Sequence, residues 1–190
     1  EIAGVKRDLR LFEIKPGLRI AILNILGDTE LVQACGHELA KKLNGMDYDI
    51  LMTAEAKSIP LAHALSVETK KPYIVLRKTY KPYMGNAIQA ETLSITTGQP
   101  QVLILDEKDI ETVKGKKVLI VDDVISTGST LQGMRILVVE DVPTTAVSSA
   151  AAYTAPLVGA LNSAGSAAAA VHVVPPSVES TTPRAWRPRR

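Results

Sequence analysis

Residues 118–130 read VLIVDDVISTGST, and this run constrains the fold more than any other. Val118, Leu119, Ile120 and Val121 are uninterrupted by polar residues and mostly β-branched, the pattern of a strand covered on both faces in a parallel sheet. Such a strand delivers its C-terminal end to the edge where α/β proteins bind ligands. Two adjacent carboxylates stand there, Asp122 and Asp123, followed by Ser126, Thr127, Gly128, Ser129 and Thr130. A small hydroxyl-rich loop opening a helix offers backbone N–H groups and Ser/Thr donors where the helix dipole favours an anion. Acids beside a phosphate cradle imply a ligand with both a phosphate and a sugar diol. The plain alternative is a buried strand ending in a polar turn, its acids capping the next helix. A Walker-type phosphate loop is a poor competitor, since no Lys follows Gly128 or Gly133.

The rest of the chain is predicted to supply the sheet around that strand. Residues 1–19 mix charges with Phe12, Pro16 and Gly17 and read as an arm or small edge hairpin, and residues 20–26 as a strand. Asp28 is the expected N-cap of a helix ending near Leu43, where Asn44-Gly45 is the stop signal. Cys35 falls with Leu31, Leu39 and Leu43 on one stripe of that helix, so it is a core residue rather than a nucleophile. Residues 49–53 read as a short buried strand, 58–68 as a helix and 72–76 as another buried strand. Residues 77–89 read as a loop. Residues 91–96 and 101–105 make a hairpin around Thr97-Gly98-Gln99-Pro100. A polar segment leads to Val118, and a helix begins near Gly128. Alternating strands and helices predict an α/β fold, a parallel sheet flanked by helices.

Two further segments carry charge to strand exits. Thr53-Ala54-Glu55-Ala56-Lys57-Ser58 joins a strand to a helix; a tight turn there points backbone N–H groups outward and Lys57 adds a cation, so the loop can hold a pyrophosphate. Taken alone, it is an exposed Glu/Lys turn. Arg77, Lys78 and Lys81 fall within five residues directly after a buried strand, which fits a nearby anion or a solvated basic turn.

The run 118–130 resembles the ribose-phosphate motif of the type I phosphoribosyltransferases, which bind phosphoribosyl pyrophosphate (PRPP). By that resemblance Asp122 and Asp123 face the ribose 2′- and 3′-hydroxyls, and Ser126, Thr127, Gly128, Ser129 and Thr130 wrap the 5′-phosphate. The segment A-E-A-K-S-I-P-L-A resembles the pyrophosphate loop of adenine-type members, with Glu55, Ala56 and Lys57 at the binding positions; the family often has Gly where this chain has Ser58. The R-K-x-x-K spacing resembles the region whose side chains reach the pyrophosphate, which assigns Arg77, Lys78 and Lys81. The resemblance implies a small N-terminal hood and a flexible loop over residues 83–92. Glu91 is the carboxylate available in that loop to manage the proton on an incoming purine, unless it merely starts an exposed strand. It also implies transfer of a 5-phosphoribosyl group from PRPP to a purine, adenine first, giving AMP and pyrophosphate. Mg²⁺ would be held mainly by PRPP and water, with no metal site built by the protein, and the chain would form a homodimer. The alternatives are a hypoxanthine, xanthine or guanine transferase, or a PRPP-binding regulator of nucleotide metabolism without turnover.

Composition bounds these readings. The content is 46% hydrophobic and 22% charged, ordinary for a globular domain. A single Cys excludes an internal disulfide framework, and the three histidines show no metal-ligand spacing. With no leader pattern and no apolar run long enough to span a bilayer, a cytoplasmic protein is expected. The net charge of +2 is carried by the end of the chain: residues 176–190 hold Arg184, Arg187, Arg189 and Arg190 against Glu179. The remainder is at −1, which gives no electrostatic case for nucleic acid. Residues 1–153 are expected to form the transferase domain. Residues 154–190 form an atypical, low-complexity tail expected to be poorly ordered. From Val138 onward the Ala/Ser-rich sequence departs from the family pattern, as an altered reading frame would produce. Phe12 is either a stacking residue for the base or an anchor for the arm.

Overall fold

A computed structural model describes residues 1–93, 100–125, 129–137 and 146–154. The chain begins with an antiparallel hairpin, β1 (Arg10–Lys15) and β2 (Leu18–Ile22), closed at Gly17, whose φ of +77° suits the residue without a side chain. Leu11 and Phe12 on β1 are exposed. The expected strand over 20–26 is therefore the end of this hairpin, and Leu23 and Ile25 beyond it are buried in the core. Helix α1 (Thr29–Lys42) follows, with Leu31, Cys35, Leu39 and the capping Leu43 all buried along the expected stripe. Strand β3 (Ile50–Ala54) is buried at every position; α2 (Ile59–Thr69), with Pro60 in its first turn, leads to β4 (Tyr73–Leu76).

Beyond β4 comes a single 3₁₀ turn (Pro82–Met84), then an antiparallel pair, β5 (Ile88–Leu93) and β6 (Pro100–Leu105). Strand β5 takes up residues expected as a loop. Its pattern is the half-buried alternation of a strand, with Ala90 buried and Gln89 and Glu91 exposed. Helix α3 (Glu107–Val113), capped by Asp106, occupies what reads as a mere polar segment. It is short and offers one buried apolar residue, Val113, too little for a periodic signal. Then come β7 (Lys117–Ile125), α4 (Ser129–Ile136) and β8 (Ala146–Thr154). The tail 155–190 and the suspected change of frame after Val138 lie outside the described residues, β8 apart.

The central sheet has the order β4-β3-β7-β8 with all neighbours parallel. One face carries Leu51, Leu119, Val121 and Ala150 against Leu31, Leu39, Leu61 and Leu65 of α1 and α2. The other carries Ile50, Met52, Ile74, Leu76, Val118 and Ile120, packed with Leu103, Leu105, Val113, Met134 and Leu137. Burial on both faces is why these strands are unbroken apolar runs. The order also fixes where a ligand belongs. From β3 the chain steps to β4 on one side and later returns as β7 on the other, so β3 and β7 flank a topological switch point. Ligands of open α/β sheets sit in the crevice beyond the C-terminal ends of such a pair.

The N-terminal arm is clamped to α1 by charge. Arg7 Nε donates to Asp28 Oδ2 at 2.7 Å, and Arg7 Nη2 donates to Asp28 Oδ1 at 2.9 Å and Glu30 Oε2 at 2.7 Å. Asp28 Oδ1 also accepts the Leu31 N–H at 3.1 Å, the expected N-cap. The Arg7 guanidinium, then the Leu31 N–H, hold this carboxyl below its usual range. A depressed folded pKa contributes stability that is full above 3.8 and is lost as pH falls through the folded value. Asp28→Ala is accordingly expected to cost about 1–2 kcal/mol in urea denaturation at pH 7, and the cost should shrink steadily on acidification. An unchanged cost in acid would contradict this account.

Candidate active site

The ends of β3 and β7 meet through Ser58. Backbone N–H groups open a helix unpaired, and α2 begins one residue after Ser58, whose carbonyl accepts the Ala62 N–H at 2.9 Å. This puts the Ser58 side chain under the acids at the end of β7. Ser58 Oγ lies 2.7 Å from Asp122 Oδ1 and 2.8 Å from Asp123 Oδ1. The Asp123 N–H is shared between Ser58 Oγ at 3.0 Å and Asp122 Oδ1 at 2.9 Å. Asp123 and Ser58 are buried, while Asp122 is half-buried. Loss of water pushes the Asp122 carboxyl up to about 7; the Ser58 hydroxyl opposes that shift and the charge of Asp123 adds to it. The expected acid pair is therefore assembled at the crevice.

A second cluster joins the ends of β3 and β4. Glu55 N–H donates to Leu76 O at 2.9 Å, extending the ladder by one step, and the Glu55–Ala56 peptide that follows is cis. Arg77 exchanges backbone hydrogen bonds with Ile104 of β6 at 2.9 and 2.8 Å, which fixes where its side chain starts. The Glu55 carboxylate then spans two partners: Oε1 accepts the Lys78 N–H at 2.7 Å, and Oε2 lies 2.5 Å from Arg77 Nε, close enough for an ion pair although the N–H is not aimed at it. Ala56 and Lys57, in the turn between the two clusters, are exposed.

Lys81 is exposed at the start of the 3₁₀ turn, where its N–H donates to Met84 Sδ at 3.3 Å. Gly85 closes that turn with φ +59°; a Cβ there would lie 1.9 Å from Glu107 Oε2. Glu107 in turn accepts from Asn86 N and Nδ2 at 2.8 and 3.1 Å, so the start of β5 is tied to α3. Glu91 stands on β5 opposite Val102, outside both clusters. Thr130 is half-buried in the first turn of α4. Ser126, Thr127, Gly128 and the side chain of Ser129 lie outside the described residues.

Two features escape a reading of the sequence. Ser58 stands out there only as a departure from Gly, and nothing in its neighbours tells that its hydroxyl reaches strand β7, 64 residues on. Thr53, at the end of β3, is fully buried with Oγ1 unpaired among the described residues; a β-branched strand residue gives no warning of that. A cavity of about 590 Å³ between α1 and α2, lined by Val32, His37, Pro60, His63, Ala64 and Val67 among others, contains none of the expected site residues. Among the described residues no three His, Cys, Asp or Glu side chains are grouped to hold a metal ion, and no helix is long and apolar enough to cross a membrane.

Residues 23–137 match the family model of the phosphoribosyl transferase domain. A hypoxanthine/guanine phosphoribosyltransferase of Methanothermococcus okinawensis is 40% identical over 90 residues, 47% of this chain and 45% of the relative. The purine biosynthesis transcriptional repressor PurR of Bacillus subtilis is 30% identical over 118 residues, 62% of this chain and 41% of the relative. The chain thus spans less than half the length of either. Among solved structures, adenine phosphoribosyltransferase from Thermoanaerobacter pseudethanolicus superposes with a TM-score of 0.59 at 23% identity, over 73% of this chain and 80% of that one, a likeness of fold.

Proposed function

Because the chain belongs to the phosphoribosyl transferase domain family, we propose that it transfers the 5-phosphoribosyl group of PRPP to a purine base, releasing pyrophosphate. The observation that carries this reading is that a carboxylate pair at the end of β7 and the Glu55–Arg77–Lys78 cluster at the ends of β3 and β4 stand at the same C-terminal edge of one parallel sheet. A diol needs paired acceptors and a diphosphate needs cations; both stand at one edge of the sheet.

In the transfer the bond from the ribose anomeric carbon to the pyrophosphate oxygen breaks, and a bond from that carbon to a base nitrogen forms. The base then gives up a proton. No side-chain nucleophile is required. Asp122 and Asp123 hold the ribose and set negative charge beside the oxocarbenium character that develops on the sugar. Arg77, Lys57, Lys78 and Lys81 neutralise the departing pyrophosphate. Residues 126–130 cradle the 5′-phosphate at the start of α4, and solvent takes the proton from the base once the product has formed. Holding both reactants in line and excluding water supplies the remainder of the catalysis. The donor set fits Mg²⁺: Asp122 and Asp123 offer hard oxygens, and this ion is commonly bound through substrate phosphates, water and one or two carboxylates. It would supply further charge neutralisation on the diphosphate.

The acceptor class divides the relatives, which include hypoxanthine/guanine transferases and an adenine phosphoribosyltransferase of Agathobacter rectalis that is 29% identical over 111 residues. A panel of adenine, hypoxanthine, guanine and xanthine with PRPP and Mg²⁺, read as nucleotide and pyrophosphate formed, tests the function and ranks the bases. Release of pyrophosphate that depends on both PRPP and a purine is expected. The similarity to a repressor favours one second reading, a PRPP-responsive regulator. PRPP binding without turnover of any base would select it.

A further inference from the structure

Lys78 and Lys81, two of the cations assigned to the leaving pyrophosphate, sit on one turn, residues 78–85, and both ends of that turn are gripped from a single stretch of chain. At the entry, Arg77 exchanges backbone hydrogen bonds with Ile104 of β6 at 2.9 and 2.8 Å. At the exit stands Glu107, the first residue of α3 and close behind Ile104 in the chain. Its Oε2 accepts the Asn86 N–H at 2.8 Å, and its Oε1 accepts from Asn86 Nδ2 at 3.1 Å. The same carboxylate lies directly on Gly85, where a Cβ would overlap Oε2. Between the two grips the turn closes on itself. The Met84 N–H donates to Lys81 O at 2.9 Å, the Lys81 N–H to Met84 Sδ at 3.3 Å, and the Tyr80 hydroxyl to Gly85 O at 3.0 Å.

We propose that Glu107 is a positioning residue for the pyrophosphate-binding cations: by holding Asn86 it closes the exit of the turn and sets Lys78 and Lys81 in place before a diphosphate arrives. The proposal rests on the transferase reading for its ligand, and on the hydrogen bonds at Asn86 for the grip. Its physical ground is entropy. A segment held at one end keeps backbone freedom that an arriving ligand must remove, whereas a segment held at both ends has lost it on folding. Helix α3 does not need Glu107 to begin, because Asp106 is its N-cap and accepts the Lys108 N–H at 3.2 Å. An acid in the first turn otherwise adds only a favourable charge beside the helix dipole, and Asp would supply that as well as Glu. Reach separates the two roles. Asp is one methylene too short for Asn86, while Gln keeps the length and one acceptor oxygen.

The test compares Glu107→Ala, Glu107→Asp and Glu107→Gln; the side chain is exposed, so none of them empties a core position. Calorimetry with inorganic pyrophosphate and Mg²⁺, and steady-state kinetics with PRPP, read the ligand side. Hydrogen exchange at the Lys81, Met84 and Asn86 amides reads the turn with no ligand present. Pyrophosphate affinity should fall about tenfold in the Ala and Asp variants and less than about threefold in the Gln variant. Because the ordering cost falls on binding, KM for PRPP should rise in parallel while kcat stays within about twofold. The amides should exchange faster in the Ala and Asp variants than in the Gln variant. In a Lys78→Ala/Lys81→Ala background, Glu107→Ala should change pyrophosphate affinity by less than about twofold, since it acts through those side chains. Unchanged affinity in the Ala and Asp variants, a loss in Gln but not in Asp, or a full loss that persists without the two lysines overturns the proposal. A parent protein that binds neither PRPP nor pyrophosphate overturns the transferase reading instead, and the exchange rates then decide alone whether Glu107 holds the turn.

Discussion

Asp122→Asn is expected to raise stability at pH 8 by about 1–2 kcal/mol while lowering phosphoribosyl transfer by roughly a hundredfold or more. The stability gain follows from the direction of the Asp122 shift. In the unfolded chain this carboxyl titrates at 3.8, and in the folded protein, where burial disfavours its charge, at about 7. Between those values the folded state binds more protons than the unfolded one, so stability falls as pH rises. Above pH 7 the full difference is carried as a desolvated charge. The figure lies below what the whole shift would imply, because Asp122 is partly open to water and part of the rise comes from the charge of Asp123. Asn keeps the shape and the Oδ1 acceptor for the Asp123 N–H and removes the charge. Urea denaturation at pH 5 and pH 8 should show a gain that grows with pH. A gain equal at both values would mean that the effect is one of packing. The expected loss of activity has the opposite origin: on the proposed function the same charge would face the sugar as it becomes cationic. A group that weakens the free protein and serves the reaction is the usual bargain struck at an active site.

The second large effect is expected at Gly36. It lies buried in α1, and a Cβ placed there would come 2.9 Å from Ala64 Cβ, 3.3 Å from Ala64 C and 3.4 Å from Leu65 N of α2. These are a rigid side-chain atom and backbone, so the helices cannot yield by turning a flexible chain. Gly36→Val should cost about 3 kcal/mol by overpacking, and β-branching in a helix adds a little. Gly36→Ala should cost less, because a helix favours Ala over Gly by about 1 kcal/mol, and Ala64→Gly beside it should recover part of the loss. Denaturation midpoints of the three variants give the comparison; a fully stable Gly36→Val would show that α1 and α2 separate freely. Moving α2 also moves Ser58, which stands one residue before its start.

How much of this was open to reading from the chain differs by kind of interaction. Strands β3, β4 and β7 are legible because burial on both faces excludes polar residues from them. Helix α1 is legible because Asp28 opens it and four apolar residues repeat along one stripe. Contacts between distant segments leave no such trace. Gly36 in a helix reads as a small local penalty and gives no hint that α2 presses against it. Glu55 and Arg77 each read as exposed loop charges, and that they neutralise one another appears only when β3 and β4 pair. Helix α3 and the early start of β5 are short elements beside a few apolar residues, below the length at which a period can be recognised. At the site, the acids on β7 were visible from their place after a buried run, whereas the hydroxyl that bridges them comes from the other side of the switch point.

The Glu55 carboxylate has a consequence for how a polyanion arrives. It already meets the Arg77 guanidinium and the Lys78 amide, so the cationic end of this crevice carries its own resident counter-ion. On the proposed function, binding a diphosphate there would be an exchange of one anion for another rather than the filling of a bare positive hole. The exchange favours a ligand with several charges held close together over a single carboxylate or chloride, because only the former offers Arg77 and Lys78 more than Glu55 does. When the product leaves, the carboxylate would return and the cations would not be stranded. Selectivity for a doubly phosphorylated leaving group, and its release, would both be written into one side chain at the end of β3.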